Sequence, residues 1–283
     1  MRFTFSLACA VALIIEMAFS AMPAAPRALA RASSQELAGS TARIRAPRPV
    51  YYLALGDSLA YGLQPNGDYT HGYVDDLYRV LRHDGVNHLV DLGCNGETST
   101  TFLKGPCPHP ELRKYPYSGP QLQAALTFIH HHPNSVKVVT LNLGINDLNW
   151  SIDESACAPG SDPQGVVAAF DANFSAIVTQ LLTALRGRAR VLTMTEYDPY
   201  ENACAAHPQL NALVGALDAR VRAVSASHRV PVADVFTAFG GTGLPYTKVC
   251  TYTWTCSSYH DGHPTRAGYA VIASLFRRAG RLR

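Results

Sequence analysis

Five short segments of the chain are largely apolar and rich in leucine or β-branched residues. They are Tyr51–Leu55, His88–Leu92, Val136–Leu143, Arg190–Thr195 and Val230–Val235. Because they are largely apolar on both faces, they are typical of strands buried in the middle of a parallel sheet. The pattern therefore predicts a mainly parallel, five-stranded sheet.

Helical periodicity fills the segments between these runs. The clearest pattern covers Val166–Leu185, where apolar residues recur at steps of three and four. The segment after Thr70 predicts a second helix with Thr70 as its N-cap, since its apolar residues fall on one face. Three more helices are predicted at Pro120–His130, Gln209–Val224 and Thr265–Arg278. Strands that alternate with helices predict an α/β fold, with right-handed crossovers and helices on both faces of the sheet.

The first thirty residues resemble a secretory signal peptide: a short basic start, an apolar run and a small-residue ending. We expect cleavage after Ala28-Leu29-Ala30, with the stretch from Ala21 to Ala25 as the alternative. An uncleaved membrane anchor is a second alternative, which Glu16 disfavours because a charge within a span is costly. Residues 31–49, rich in Ala, Arg, Ser and Pro, are predicted to be a flexible leader, and residues 50–283 to be the domain of a secreted protein.

Six cysteines follow the predicted signal, and an even set in an exported protein favours disulfides. Six cysteines allow 15 connectivities. We expect neighbour pairing, because each pair then brackets a loop-like segment: Cys94–Cys107, Cys157–Cys204 and Cys250–Cys256. A zinc site is the alternative, but the sequence has no C-x-x-C pair.

Composition changes this interpretation little. Hydrophobic residues make up 47% of the 283 residues and charged residues 16%, so the chain can bury a large core. The net charge of +3 is spread along the chain without a basic run. We therefore expect no nucleic-acid partner.

Polar residues suited to chemistry follow the predicted strands. Ser58 comes just after the first strand and Asn146 just after the third, and ligands of parallel sheets bind beyond the carboxyl ends of the strands. A serine nucleophile needs a base in reach, and His263 lies on a loop before the last helix with Asp261 two residues earlier. Gly96, after the second strand, can present a bare backbone N–H to a substrate.

Four blocks occur in one order along the chain: G-D-S-L at Gly56–Leu59, the segment at Gly96, G-I-N-D at Gly144–Asp147 and the pair His263-Pro264. In this order and over about residues 50–280, the chain resembles the GDSL (SGNH) hydrolase family. The resemblance implies a flavodoxin-like, three-layer α/β/α sandwich and a serine esterase or lipase that needs no cofactor and no metal.

The resemblance also implies roles for individual residues. Ser58 would be the nucleophile and His263 the general base and acid. The oxyanion hole would consist of the backbone N–H groups of Ser58 and Gly96 and the side chain of Asn146.

One spacing departs from the family pattern. The family usually carries an Asp three residues before its catalytic His, and here that position is His260. Asp261 can still orient His263, because residues i and i+2 share a face of an extended segment. The alternative is a backbone carbonyl, which would leave a Ser–His dyad.

We therefore expect a secreted, monomeric ester hydrolase that acts on a small acyl ester or a lipid, without stable membrane insertion. A carbohydrate acetyl-esterase or a phospholipase on the same scaffold is the alternative within enzymes. The alternative from another class is a secreted binding protein that kept the fold and lost the activity.

Overall fold

The computed structural model describes residues 47–153, 158–200, 208–242 and 247–283, all within one compact unit, Pro47–Arg283. The predicted signal peptide, most of the predicted leader, and Cys157 and Cys204 lie outside the described residues. The signal, the leader and the Cys157–Cys204 pairing therefore stay predictions.

A five-stranded sheet with the order β2-β1-β3-β6-β7 forms the centre of the molecule, and all of its pairings are parallel. Two short antiparallel pairs, β4–β5 and β8–β9, lie outside it. The strands are β1 (Tyr51–Gly56), β2 (His88–Asp91), β3 (Val136–Asn142), β4 (Ile152–Asp153), β5 (Ala158–Pro159), β6 (Arg190–Met194), β7 (Val232–Ala233), β8 (Thr253–Trp254) and β9 (Asp261–Pro264).

All five predicted strands are present, and four of them end within two residues of the predicted bounds. The fifth is shorter than predicted, covering Val232–Ala233 in place of Val230–Val235. Pro231 has no backbone N–H to donate, and Asp234 already caps the next helix through the amide of Thr237.

Helices lie on both faces of this sheet. They are α1 (Ser58–Tyr61), α2 (Tyr73–Leu81), α3 (Ser99–Lys104), α4 (Gln121–His131), α5 (Ile145–Asn149), α6 (Pro163–Leu185), α7 (Pro208–Ser227), α8 (Val235–Ala238), α9 (Thr247–Tyr252) and α10 (Arg266–Ala279). The predicted N-cap of α2 is wrong: the helix begins after Gly72, whose amide binds the Asp75 carboxylate. Thr70 instead bonds to Asp68 in the preceding turn.

Alternate residues of β1 pack into two separate cores, because successive side chains of a strand point to opposite faces of the sheet. Leu53 and Leu55 pack into the core beneath α3 to α7, whereas Tyr52 and Ala54 pack into the core beneath α2 and α10. The result is the three-layer α/β/α sandwich with a parallel central sheet that the sequence predicts.

Among the described helices, only α6 is long and apolar enough by composition to cross a membrane. Its apolar stripe, including Phe170, Phe174 and Leu181, is buried against the sheet and the neighbouring helices. In this structure α6 is therefore a core helix of one layer.

Two of the three predicted disulfides are formed, Cys94–Cys107 and Cys250–Cys256. The first follows β2 and precedes α4. The second bridges α9 and the turn between β8 and β9. Each disulfide therefore restrains a loop at the carboxyl edge of the sheet, where the candidate residues lie.

Candidate active site

Ser58 is the first residue of α1, directly beyond the carboxyl end of β1. The chain turns at Gly56, which has φ +142°, and a Cβ there would lie 2.3 Å from Oδ1 of Asn142. Only glycine fits this position. The Gln121 side-chain amide pairs with the same residue, since it accepts from Gly56 N at 2.7 Å and donates to Gly56 O at 2.8 Å. The turn that presents Ser58 is thus fixed by β3 and α4.

Asp57 supports this turn from below. Its Oδ1 accepts hydrogen bonds from Leu59 N at 2.9 Å, as the N-cap of α1, and from Asn142 Nδ2 at 2.6 Å. The Tyr73 hydroxyl donates in turn to Asn142 Oδ1 at 2.8 Å. Burial raises the pKa of the Asp57 carboxyl to about 6, although these bonds oppose the shift. Asp57 is therefore a structural acceptor with no access to a substrate.

His263 reaches Ser58 from the opposite end of the chain. Its Nε2 lies 2.9 Å from Ser58 Oγ, and its Nδ1 lies 2.7 Å from Asp261 Oδ1. The same carboxylate oxygen accepts from the backbone N–H of His263 at 2.8 Å. Strand β9, which carries both residues, is paired with β8 next to the Cys250–Cys256 disulfide.

The position of Asp261 distinguishes the two alternatives left by its spacing. A carboxylate, and not a backbone carbonyl, contacts Nδ1 of His263. Burial raises the pKa of Asp261, but the hydrogen bonds and charge of His263 outweigh burial and leave that pKa below its ordinary value. His260, at the position where the family usually has its Asp, is exposed at the rim of the cleft.

Asn146 occupies the first turn of α5, beyond the carboxyl end of β3. Its Nδ2 donates to the carbonyl of Glu97 at 3.0 Å and makes a longer contact of 3.4 Å with Asp57 Oδ2. Gly96 lies in the neighbouring turn with φ +76°. Within the described part of the chain, the backbone N–H groups of Ser58 and Gly96 donate to no protein acceptor. Both amides are therefore available for an anion.

A carboxylate clamp joins the two segments that carry Gly96 and Asn146. Asp147 accepts from Ser99 N at 2.9 Å and from Ser99 Oγ at 2.5 Å. Asn173 of α6 donates to Ser99 Oγ and to Thr100 Oγ1, each at 3.1 Å. Burial raises the pKa of Asp147, and its bonds from Ser99 oppose that shift. The clamp holds the start of α3 against the start of α5.

A cleft of about 500 Å³ opens over Ser58 and His263, a size that suits a small-molecule site. Its walls are largely apolar, with a few amide and carboxyl groups between them. The apolar residues are Leu59, Ile145, Ile152, Tyr197, Pro199 and Tyr200, and the amide side chains are Asn95, Asn146 and Asn149. Gly96 itself lines a second, adjacent groove, so its neighbour Asn95 forms that part of the cleft wall.

Glu196 is a cleft residue that no sequence motif indicates. It is only 1% exposed, and neither carboxyl oxygen has a hydrogen-bond partner among the described residues. Its backbone N–H donates to Asp218 Oδ1 at 2.8 Å. Burial raises the pKa of Glu196 well above its ordinary value and that of Asp218 to about 8. Its position just after β6 was a usable signal, since Ser58 and Asn146 follow their strands in the same way.

The chain is similar to one protein family and to several solved structures. The model of the GDSL-like lipase/acylhydrolase family matches residues 54–271. A lipase from a goat rumen metagenome is 20% identical, with a TM-score of 0.59 over 83% of this chain and 100% of its own. An acetyl xylan esterase from Geobacillus stearothermophilus is 16% identical, with a TM-score of 0.51 over 82% and 95%. An extracellular lipase from Streptomyces rimosus is 17% identical, with a TM-score of 0.50 over 81% and 99%. No curated protein matches the sequence.

Proposed function

Because the chain belongs to the GDSL-like lipase/acylhydrolase family and is a carboxylic ester hydrolase, we propose that it is a secreted enzyme that cleaves acyl esters through Ser58. The observation that carries the proposal is the continuous line of contacts from Ser58 Oγ through His263 to Asp261, at 2.9 and 2.7 Å. A weak hydroxyl nucleophile needs such a base, and the base needs an orienting acceptor.

In the acylation step, Ser58 Oγ attacks the ester carbonyl carbon while its proton passes to Nε2 of His263. The imidazolium then gives this proton to the leaving alcohol, and the acyl group stays on Ser58. Asp261 holds the Nδ1 proton throughout and stabilises the imidazolium. Deacylation repeats the sequence with a water molecule as the nucleophile, which His263 deprotonates.

The negative charge of the tetrahedral intermediate develops beside three donors. The amides of Ser58 and Gly96 have no protein acceptor within the described residues, and Asn146 Nδ2 has one strong partner and one long contact. Preorganised donors of this kind are each worth roughly 10²–10³ in kcat.

The cleft supports an acyl ester with an apolar chain as the substrate. An acetyl group alone would leave most of a largely apolar cleft of about 500 Å³ unfilled. One structure with this fold is named an acetyl xylan esterase and another a lipase. A carbohydrate deacetylase is therefore the second candidate, and chain-length preference separates the two.

The decisive experiment is hydrolysis of nitrophenyl esters from acetyl to palmitoyl by the wild type and by Ser58→Ala. We expect the wild type to prefer a medium or long acyl chain, and the variant to lose activity on every ester. A preference for acetyl would favour the deacetylase. Absence of ester cleavage, together with no labelling of Ser58 by a fluorophosphonate probe, would favour a binding protein.

Secretion is the second part of the proposal. It is supported by the signal-like first thirty residues and by the disulfides Cys94–Cys107 and Cys250–Cys256, which persist mainly in oxidising compartments. Expression of the full chain in an exporting bacterium should release a protein whose N-terminus follows Ala30 or lies between residues 21 and 26. Intact Met1 in the cell fraction would contradict export with cleavage.

A further inference from the structure

Two exposed aromatic residues are next in sequence to residues that line the cleft. Among the described residues three large hydrophobic side chains are exposed: Tyr115 by 42%, Trp150 by 74% and Tyr259 by 51%. Trp150 follows the cleft residue Asn149, and Tyr259 precedes the cleft residue His260. Tyr115 lines neither the cleft nor the groove beside it. We call Trp150 and Tyr259 the aromatic rim.

An apolar groove of about 560 Å³ lies beside the cleft and includes Trp150 in its wall. Its remaining walls are mainly apolar, contributed by Pro106, Pro108, Val166 and Ala169. The groove also contains Gly96, whose neighbour Asn95 lines the cleft. The apolar surface at Trp150 thus continues to the edge of the proposed catalytic site.

The polar side chains in the groove wall already have partners within the protein. Thr98 and Thr101 bond to each other, and Thr100 accepts from Asn173. Asp147, the groove's carboxylate, is held by Ser99. The wall therefore offers methyl groups and rings to an occupant, with few free hydrogen-bonding groups.

We propose that the aromatic rim docks the enzyme on the surface of an aggregated acyl lipid, a micelle or an uncharged or zwitterionic bilayer, with the cleft mouth facing the lipid. Trp and Tyr combine a large apolar ring with one polar atom, and they favour the boundary between water and hydrocarbon. The inference rests on the proposed function only in assuming that the enzyme cleaves an ester bond of this lipid, because docking itself needs no catalysis.

A polysaccharide surface is the competing occupant of an exposed tryptophan. Sugar hydroxyls lose hydrogen bonds to water on binding and need replacements from the protein. The groove wall beside Trp150 supplies few, because its threonine and aspartate oxygens are engaged internally. The chemistry of this surface therefore favours lipid.

Binding is tested first, in the Ser58→Ala background so that no substrate is consumed. Trp150 and Trp254 are the two tryptophans of the chain, so Trp254→Phe leaves Trp150 as the sole tryptophan, whose emission is excited selectively at the red edge of the absorption band. We expect vesicles of phosphatidylcholine to shift the emission of Trp150 to the blue and to cosediment with the protein. The double variant Trp150→Ser/Tyr259→Ser should lose at least tenfold in cosedimentation, and the matched control Tyr115→Ser should keep it.

Catalysis is then compared on one short-chain phosphatidylcholine below and above its critical micelle concentration. We expect the ratio of the hydrolysis rate on micellar substrate to that on monomeric substrate to fall at least tenfold in the double variant. In Tyr115→Ser this ratio should stay unchanged. Equal vesicle binding by the wild type and the folded double variant would overturn the proposal. Rim-dependent binding to insoluble xylan without vesicle binding would also overturn it, in favour of the polysaccharide. Vesicle binding by a protein that cleaves no ester would leave the docking surface standing and remove the proposed function instead.

Discussion

Oδ1 of Asp261 accepts two hydrogen bonds from His263, one from the ring Nδ1 at 2.7 Å and one from the backbone N–H at 2.8 Å. The second bond spans the two-residue spacing and closes a tight turn of the chain upon the carboxylate. The ring and the backbone of His263 are thereby positioned by one atom. The departure from the usual three-residue spacing thus retains the carboxylate–imidazole contact.

Replacing that carboxylate should separate catalysis from folding. Asp261→Asn can keep the bond to the backbone N–H but cannot stabilise the imidazolium, so we expect kcat on a nitrophenyl ester to fall on the order of 10²- to 10⁴-fold. KM and the unfolding midpoint should change little. The matched control is Asp68→Asn. Asp68 Oδ2 lies 2.8 Å from Nδ1 of His71, and neither residue lines the cleft. A decrease in kcat of the same size in both variants would contradict the orienting role of Asp261.

The Asp147–Ser99 clamp should affect the oxyanion donors that it positions. Ser99→Ala removes two bonds of the hydroxyl, one to Asp147 and one from Asn173, and Asp147→Asn replaces one of two acceptor oxygens by a donor. We expect each variant to lower kcat roughly tenfold or more by moving Gly96 relative to Asn146. The double variant should cost little more than either single one, because both break the same clamp. Asp162→Asn is the control, a helix cap of α6 through Gly165 N. Additive losses in kcat, or a loss confined to the unfolding midpoint, would argue for a purely local structural role.

The sequence predicts the layers of this fold because the long periodic elements carry their own signal. Five apolar runs and five amphipathic segments correspond to the sheet and its main helices. The short helices α1, α3 and α5 escaped prediction, since four to six residues hold too little periodicity. The predicted cap of α2 is wrong because the Thr70 hydroxyl binds Asp68 instead.

In the site, too, local motifs predict individual residues but not the contacts between distant segments. Ordered motifs predict Ser58, Asn146 and His263, and positions just beyond strand ends support Ser58 and Asn146. The contacts that hold them were not predicted, because they join residues distant in sequence: Gln121 binds Gly56, 65 residues away, and Asn142 binds Asp57, 85 residues away. Such pairs depend on how the layers pack, and nothing local in the sequence reports it. Glu196 lacked a motif, although its strand-end position was visible.

Gly56 should tolerate no side chain. A Cβ would meet Oδ1 of Asn142 at 2.3 Å and its carbonyl oxygen at 2.4 Å, in addition to the strain of φ +142°. We expect Gly56→Ala to destabilise the protein by more than the ~1–2 kcal/mol typical of placing a side chain at positive φ, and to abolish ester hydrolysis. Gly85→Ala provides the comparison, because Gly85 has φ +85° but no atom within 4 Å of its Cβ position. Denaturant unfolding of both variants measures the difference, and equal losses of stability would mean that the collision relaxes.

Asp218 should make the protein less stable as the pH rises. Burial raises its pKa from 3.8 to about 8, so the folded state holds a proton that the unfolded chain has already released. The free energy of unfolding therefore falls as pH rises from about 4 to about 8, by at most ~1.4 kcal/mol per pH unit for this group. Asp218→Asn keeps an acceptor for the Glu196 amide, and we expect it to flatten this slope in unfolding curves measured from pH 5 to 8. Asp234→Asn is a control of opposite sign. Burial raises the pKa of Asp234, but the Arg222 bond and the other contacts of this carboxylate outweigh burial and leave its pKa below the ordinary value. The stabilisation by Asp234 is therefore lost only on acidification. An unchanged slope in Asp218→Asn would mean that this carboxyl is ionised in the folded protein.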